Sequence, residues 1–161
     1  MRNLVAGVRE VKVPRRMKVV ILWGVGSMRL RILVVDDHEL ARESIRTAMQ
    51  FCRCAQPEII GEAADGRTAI ELARRLKPDV VTMDISLPDI SGLEVTRRLK
   101  EDKPHLPVVV VTMHEDRRCR KEAVRVGAVS YVTKADLVNE LPGCLDRLAG
   151  QLSPRGTEDP P

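Results

Sequence analysis

Residues 31–45 read RILVVDDHELARESI and join two kinds of sequence pattern at one point. An apolar run ends in Asp36 and Asp37, and the residues that follow carry apolar side chains at helical spacing. A short continuous apolar run is typical of a strand buried on both faces, so the segment predicts a strand followed by a helix. Two adjacent carboxylates at a buried strand end repel each other unless a cation lies among them. The pair is therefore the first sign of a functional site.

The same alternation of strand-like and helix-like segments continues along the chain. Strands are predicted at 31–35, 58–63, 79–84, 107–112 and 130–134. Helices are predicted at 38–50, 67–76, 92–100, 115–126 and 140–149, the last with Asn139 as its N-cap and Pro142 in its first turn. Five strands alternating with five helices predict one α/β domain over residues 28–149, with a five-stranded parallel doubly wound sheet.

Polar residues follow four of the predicted strands at their carboxyl ends, where open α/β sheets bind ligands. They are Asp36 and Asp37 after the first strand, Asp84 after the third, Thr112 after the fourth and Lys134 after the fifth. Each has an ordinary explanation alone: Asp37 could cap a helix, Thr112 suits a strand, and Lys134 could extend to solvent. Together they favour a Mg²⁺ site, because carboxylate oxygens suit this hard cation. Such a set supports phosphoryl transfer onto Asp84.

Four segments resemble the receiver domain of two-component response regulators, in the order that family has them. They are LVVDDHELAR (33–42), MDISLPDISGLEV (83–95), VVVVTMHED (108–116) and GAVSYVTKADL (127–137). The likeness covers residues 29 to about 149 and implies the flavodoxin-like receiver fold. DDHELAR and TMHED look most like the subfamily that usually carries a C-terminal helix-turn-helix output domain, for which the 11 residues after residue 150 leave no room.

The resemblance implies a role for each matching position. Asp84 is expected to accept a phosphoryl group from a sensor histidine kinase or a small phosphodonor. The expected ligands of Mg²⁺ are Asp36, Asp37, Asp84 and the backbone carbonyl of Ser86. Thr112 and Lys134 are expected to stabilise the phosphoryl group.

The switch residues of the family also have counterparts here. Thr112 and Tyr131 match the pair in which the hydroxyl moves toward the phosphoryl group while the aromatic ring turns inward. His114, two residues after Thr112, is placed to influence access of water to Asp84. Ala135 follows Lys134 where the family often has proline, so a cis peptide bond is less expected.

The same likeness implies a surface that responds to phosphorylation. Residues 114–149 are expected to form a face that changes and contacts a second copy of the chain or an output partner. The stretch RRCRKEAVR (117–125) supplies charge to this face, or is simply a solvated helix surface. Apart from self-phosphorylation and slow autodephosphorylation, no turnover of a separate substrate is expected.

Charge and cysteine content limit which other classes of function are expected. Six of the 27 Lys and Arg residues fall within 1–27, against one of the 23 acidic residues, so the rest of the chain is close to neutral. DNA binding by this chain is therefore not favoured. The scattered cysteines Cys52, Cys54, Cys119 and Cys144 predict packed or exposed free thiols in the reducing cytoplasm.

The two ends of the sequence read differently from the middle. MKVVILWGVGSM (17–28) is too short to cross a membrane and lacks a clear cleavage site, so residues 1–27 are interpreted as a disordered leader read from an upstream start codon. Residues 150–161 are rich in Gly, Pro and polar residues and predict a disordered tail.

Two further classes of function compete with the receiver interpretation. A metal-dependent phosphohydrolase with an aspartyl nucleophile would place a second acid two residues after Asp84, where this chain has Ser86. A degenerate receiver used only as a binding module would lack some of the polar residues at the strand ends, and all five are present here.

Overall fold

A computed structural model of the protein describes residues 28–152. Its strands lie at Met28–Val35 (β1), Ala55–Ala63 (β2), Val80–Met83 (β3), Val108–Thr112 (β4) and Ser130–Thr133 (β5). Its α-helices lie at Glu39–Met49 (α1), Gly66–Leu76 (α2), Gly92–Asp102 (α3), Arg117–Arg125 (α4) and Leu137–Gln151 (α5). The leader predicted at 1–27, and the tail beyond Leu152, lie outside the described residues.

The strands form one parallel sheet in the order β2-β1-β3-β4-β5. This is the flavodoxin-like order, and it confirms the predicted doubly wound α/β architecture. The order reverses between β1 and β3, which are hydrogen-bonded neighbours. A crevice for ligands is therefore expected where the carboxyl ends of these two strands meet.

Helices cover both faces of the sheet, and alternate residues of a strand enter opposite cores. Val109 and Val111 of β4 pack in the core beneath α1 and α5, whereas Val108 packs in the core beneath α2 and α3. Val110 belongs to a smaller cluster with Tyr131 and with Ala123 of α4. Burial on both faces explains why the strands read as continuous runs of Val without alternation.

The predicted start of the last helix is wrong. Helix α5 begins at Leu137, so Asn139 is not its N-cap and Pro142 lies inside the helix. The Oγ1 atom of Thr133 accepts a hydrogen bond from the backbone N–H of Asp136 at 3.3 Å and opens a 3-10 helix, Lys134–Asp136, which continues directly into α5. The helix also runs to Gln151, two residues into the stretch predicted as a tail.

Two other backbone observations bear on the sequence analysis. The peptide bonds between residues 28 and 152 are all trans, including the one from Lys134 to Ala135. Within the same residues, no helix combines the length and the apolar character that crossing a bilayer requires.

Candidate functional site

The acidic pair lies where β1 ends and the chain turns toward α1. Asp36 is fully buried, and its Oδ1 accepts a hydrogen bond from the backbone N–H of His38 at 2.9 Å. Asp37 is exposed, and its Oδ1 lies 2.8 Å from Nδ1 of His38. Helix α1 has no side-chain cap from Asp37, because the N-cap residue is His38. The ordinary explanation of Asp37 as a helix cap is therefore excluded.

Asp84 lies next to this pair, directly after β3. Its backbone N–H donates to the carbonyl of Val35 on β1 at 2.9 Å, which fixes the two strand ends side by side. The residue is 3% exposed, and its Oδ1 lies 3.4 Å from the backbone N–H of Ser86. Oδ1 of this nearly buried carboxylate therefore has only one long hydrogen bond, which leaves it free to act as a nucleophile.

Lys134 joins the carboxylates of the two strands. Its Nζ lies 2.6 Å from Oδ2 of Asp36 and 2.9 Å from Oδ2 of Asp84. Burial acts to lower the pKa of this ammonium, but the hydrogen bonds and charges of Asp36 and Asp84 outweigh it and hold the pKa above its usual value. Lys134 is thus a fixed positive charge between two buried acids.

The acidic cluster fits a hard divalent cation. Ligand atoms of Asp36, Asp37, His38 and Asp84 all lie within 4.8 Å of one another. The three carboxylates carry three negative charges against the single charge of Lys134, and such a surplus favours a bound cation. Oxygen donors of this kind suit Mg²⁺. His38 was not predicted to belong to the cluster, although its place directly after the acidic pair could have suggested it.

Thr112, Tyr131 and His114 form a connected group at the ends of β4 and β5. Thr112 is fully buried and its Oγ1 lies 3.4 Å from the backbone N–H of His114. The hydroxyl of Tyr131 donates to the backbone carbonyl of His114 at 2.7 Å, and its ring is 6% exposed. The ring of Tyr131 therefore faces the protein interior. Thr112 and Tyr131 both contact the backbone of His114.

Two contacts connect this group with its surroundings. The Oγ of Ser86 lies 3.0 Å from Nε2 of His114, so the loops after β3 and β4 are hydrogen-bonded. The guanidinium of Arg120 in α4 lies 4.7 Å from the centre of the Tyr131 ring. Burial is the main cause that raises the pKa of Tyr131. The structure thus joins Asp36, Asp84 and Lys134 directly, and brings Thr112 and Tyr131 together through His114.

The profile of the response regulator receiver domain matches residues 32–143, which is more than half of the chain. The chain is 40% identical over 112 residues to the response regulator GacA of Pseudomonas aeruginosa, covering 70% of this chain and 51% of that protein. It is 32% identical over 112 residues to the transcriptional regulatory protein DegU of Brevibacillus brevis, covering 68% and 46%. The chain spans about half the length of these relatives.

Solved structures give the same result. A two-component response regulator of the LuxR family from Aurantimonas superposes with a TM-score of 0.68 at 33% identity, covering 76% of this chain and 86% of that one. The response regulator domain of Thermotoga maritima CheB superposes with a TM-score of 0.64 at 31% identity, covering 78% and 98%. The chain belongs to the receiver domain family of two-component response regulators.

Proposed function

We propose that this chain is a receiver domain that accepts a phosphoryl group on Asp84 in a Mg²⁺-dependent reaction and thereby changes a protein-binding surface. The observation that carries the proposal is the position of Lys134, whose ammonium lies 2.6 and 2.9 Å from the two buried acids of β1 and β3. Asp84 is the carboxylate of this pair whose second oxygen has only a long contact, at 3.4 Å. It is the natural nucleophile of the cluster.

The proposed donor is a sensor histidine kinase carrying a phosphohistidine, or a small acyl phosphate. An oxygen of Asp84 forms a bond to phosphorus while the bond from phosphorus to the imidazole nitrogen breaks, and the imidazole keeps the electron pair and takes a proton from solvent. Mg²⁺, held by Asp36, Asp37, Asp84 and the backbone carbonyl of Ser86, supplies neutralisation of the phosphoryl charge when it is bound. Lys134 stays protonated and pairs with the charge that develops beside Asp84.

The switch is proposed to run from Thr112 to the surface of α4. A phosphoryl group on Asp84 offers acceptor oxygens to the buried hydroxyl of Thr112, and any shift of this residue moves the backbone of His114. The carbonyl of His114 holds the hydroxyl of Tyr131, and Arg120 lies over the ring of Tyr131. The face of residues 114–149 is proposed to bind a second copy of the chain or an output partner in the cytoplasm.

His114 is proposed to influence the access of water to the phosphorylated Asp84. Its ring is hydrogen-bonded to Ser86, two residues after Asp84, so it is held close in the chain to the proposed phosphorylation site. The position that a phosphohydrolase would give to a second acid is occupied by this serine. Slow autodephosphorylation is therefore proposed to end the phosphorylated state, rather than turnover of a separate substrate: water bonds to phosphorus while the bond from phosphorus to the Asp84 oxygen breaks, which releases inorganic phosphate and restores the carboxylate.

The test is the intact mass of the protein after incubation with acetyl phosphate and Mg²⁺. The wild-type protein is expected to gain the mass of one phosphoryl group, and the gain is expected to disappear with a chelator. Asp84→Asn keeps the shape of the side chain but removes the nucleophile, and it should gain nothing. No gain in a folded wild-type protein would overturn the proposal and favour a binding module.

A further inference from the structure

A second group of potential metal ligands lies outside the acidic cluster, at the start of α4. Donor atoms of His114, Asp116 and Cys119 all lie within 4.8 Å of one another. His114 and Asp116 are exposed, and Cys119 is partly buried. The three residues come from the loop after β4 and from the first turn of the helix.

Hydrogen bonds hold each of these residues in place. Asp116 is the N-cap of α4, and its Oδ1 accepts from the backbone N–H of Cys119 at 2.8 Å. The backbone of His114 is held by Tyr131, whose hydroxyl donates to the His114 carbonyl at 2.7 Å. The imidazole of His114 is held by Ser86, whose Oγ lies 3.0 Å from Nε2. The group is therefore largely arranged before any ion arrives.

The donor types differ from those of the acidic cluster. The acidic cluster offers three carboxylates and the imidazole of His38, whereas the second group combines one carboxylate and one imidazole with the sulfur of Cys119. Sulfur and imidazole favour zinc over Mg²⁺. Zinc bonds of about 2.0–2.3 Å in tetrahedral geometry place neighbouring donors about 3.5 Å apart, so small rotations of the exposed His114 and Asp116 side chains would complete the geometry.

We propose that His114, Asp116 and Cys119 bind one Zn²⁺ ion, with water in the fourth position. Nδ1 of His114 takes the ion and Nε2–H donates to Ser86, an arrangement in which the second ring proton orients the metal-binding ring. The thiol of Cys119 loses its proton to solvent as the bond from sulfur to zinc forms. No electron is transferred.

Zinc at this position would act on the proposed switch segment. It joins the loop that contacts Tyr131 to the first turn of α4, and so restricts the backbone between Thr112 and Arg120. The zinc proposal does not depend on phosphorylation of Asp84. It can be tested without any phosphodonor.

The experiment is a titration of the reduced full-length protein with Co²⁺, and then with Zn²⁺ in competition, in the presence of excess Mg²⁺ to occupy the acidic cluster. One equivalent of Co²⁺ is expected to give a thiolate-to-cobalt charge-transfer band, which Zn²⁺ should abolish. Cys119→Ser should remove the band, and His114→Gln should weaken zinc affinity about tenfold or more, since losing even a group that only orients a ligand costs 10- to 100-fold. Cys54→Ser is the matched control and should keep both the charge-transfer band and the zinc affinity of the wild-type protein.

Three results would overturn the proposal: no charge-transfer band in the wild-type protein, a band that survives Cys119→Ser, or a band that is lost in Cys54→Ser. Asp116→Asn retains a residue type that caps helices well, so α4 should stay folded while zinc affinity falls. Unchanged zinc affinity in this variant would remove Asp116 from the site and contradict the proposed ligand set. Circular dichroism of every variant separates loss of metal binding from loss of fold.

Discussion

At the scale of single residues, the charges around Lys134 decide the energetics of the site. One ammonium pairs with the buried acids Asp36 and Asp84, and Asp37 adds a further carboxylate with donor atoms within 4.8 Å. Removing one member of a buried pair costs about 3–5 kcal/mol, whereas relieving an unpaired like charge is favourable. The three carboxylates therefore differ in their effect on stability, and Asp37 is the one that the fold does not need.

Asp37→Asn is expected to raise stability without metal by about 1 kcal/mol, because it removes repulsion while its side-chain oxygen can still accept from His38. The wild-type protein should be stabilised by Mg²⁺, and the variant should lose most of this response. Thermal unfolding with and without Mg²⁺ measures both effects. Asp102→Asn, which changes an exposed carboxylate paired with Arg74, should leave the Mg²⁺ response intact. A less stable Asp37→Asn variant with a normal Mg²⁺ response would contradict this account.

Tyr131 is the single tyrosine of the chain, so its ionisation can be followed by tyrosinate absorbance. Burial is the main cause that raises its pKa in the folded protein, with the charges of Cys119 and Asp116 acting the same way and Arg120 opposing them. The fold thus favours the neutral phenol. Its contribution to stability is full below the unfolded-state pKa of about 10 and is lost as pH rises above that value.

The absorbance titration is expected to show a midpoint above the one measured in denaturant. Stability toward urea should fall over the same pH range. A folded-state midpoint equal to or below the denatured one would show that the ring of Tyr131 is solvent-exposed, against the inward position described here.

At the scale of elements, Gly92 sets how closely α3 approaches the end of β3. A Cβ atom at this position would lie 1.8 Å from the backbone carbonyl oxygen of Asp84. The backbone N–H of Gly92 donates to the carbonyl of Ile85 at 2.9 Å. The loop that carries Asp84 is therefore folded against a helix start that only glycine permits.

Gly92→Ala is expected to destabilise the protein by about 3 kcal/mol or more, because the clash is with backbone and cannot be relieved by rotating a side chain. Gly143→Ala makes the same change on the exposed side of α5, where the nearest atom to the new Cβ is Nη1 of Arg147 at 3.7 Å. It should stabilise by about 0.5–1 kcal/mol through helix propensity. Urea unfolding measures both, and equal effects of the same sign would contradict the close approach at Gly92.

Local sequence patterns predicted the elements well but misplaced several boundaries: β1, β2 and α5 each begin three residues before the predicted start. Valine-rich runs and helical spacing suffice for the five strands and five helices, since both faces of the sheet are covered. The side chain of Thr133 accepts from the backbone N–H of Asp136 and opens the 3-10 helix that continues into α5, so the helical turns begin before the predicted cap at Asn139. Asp146 gives a similar case: it accepts backbone N–H groups of Arg53, Cys54 and Ala55, about 90 residues away. Spacing alone does not show such a contact.

More of the candidate site could be predicted from the sequence, because a parallel sheet brings the carboxyl ends of all its strands to one edge. Asp36, Asp84 and Lys134 are brought together as the strand pattern predicts. The hydrogen bonds of His114 to Ser86 and Tyr131 could not be predicted, because they depend on the paths of two loops. Their geometry comes from tertiary structure rather than from any motif.

At the scale of the whole molecule, the candidate site lies at the carboxyl edge of the sheet, away from most of the buried core. Tyr131 of β5 connects this edge to α4. Helices α1 and α5 enclose one face, and α2 and α3 enclose much of the other. Helix α4 buries only Ala123 fully and contacts β5 through the Tyr131 cluster. A weakly packed element beside the site can move at a smaller cost in free energy than one set deeply in the core. This asymmetry favours α4 and its surroundings as the region that responds.

The proposed function requires that Asp84, and not its acidic neighbours, carries the phosphoryl group. Hydroxylamine cleaves an acyl phosphate, releasing inorganic phosphate and leaving a hydroxamate on the carboxyl that was phosphorylated. The decisive measurement is peptide mass mapping after acetyl phosphate, Mg²⁺ and hydroxylamine treatment. We expect one hydroxamate, on Asp84, and none when Mg²⁺ is withheld. A hydroxamate on Asp36 or Asp37, or none on a protein that has gained phosphoryl mass, would contradict this expectation.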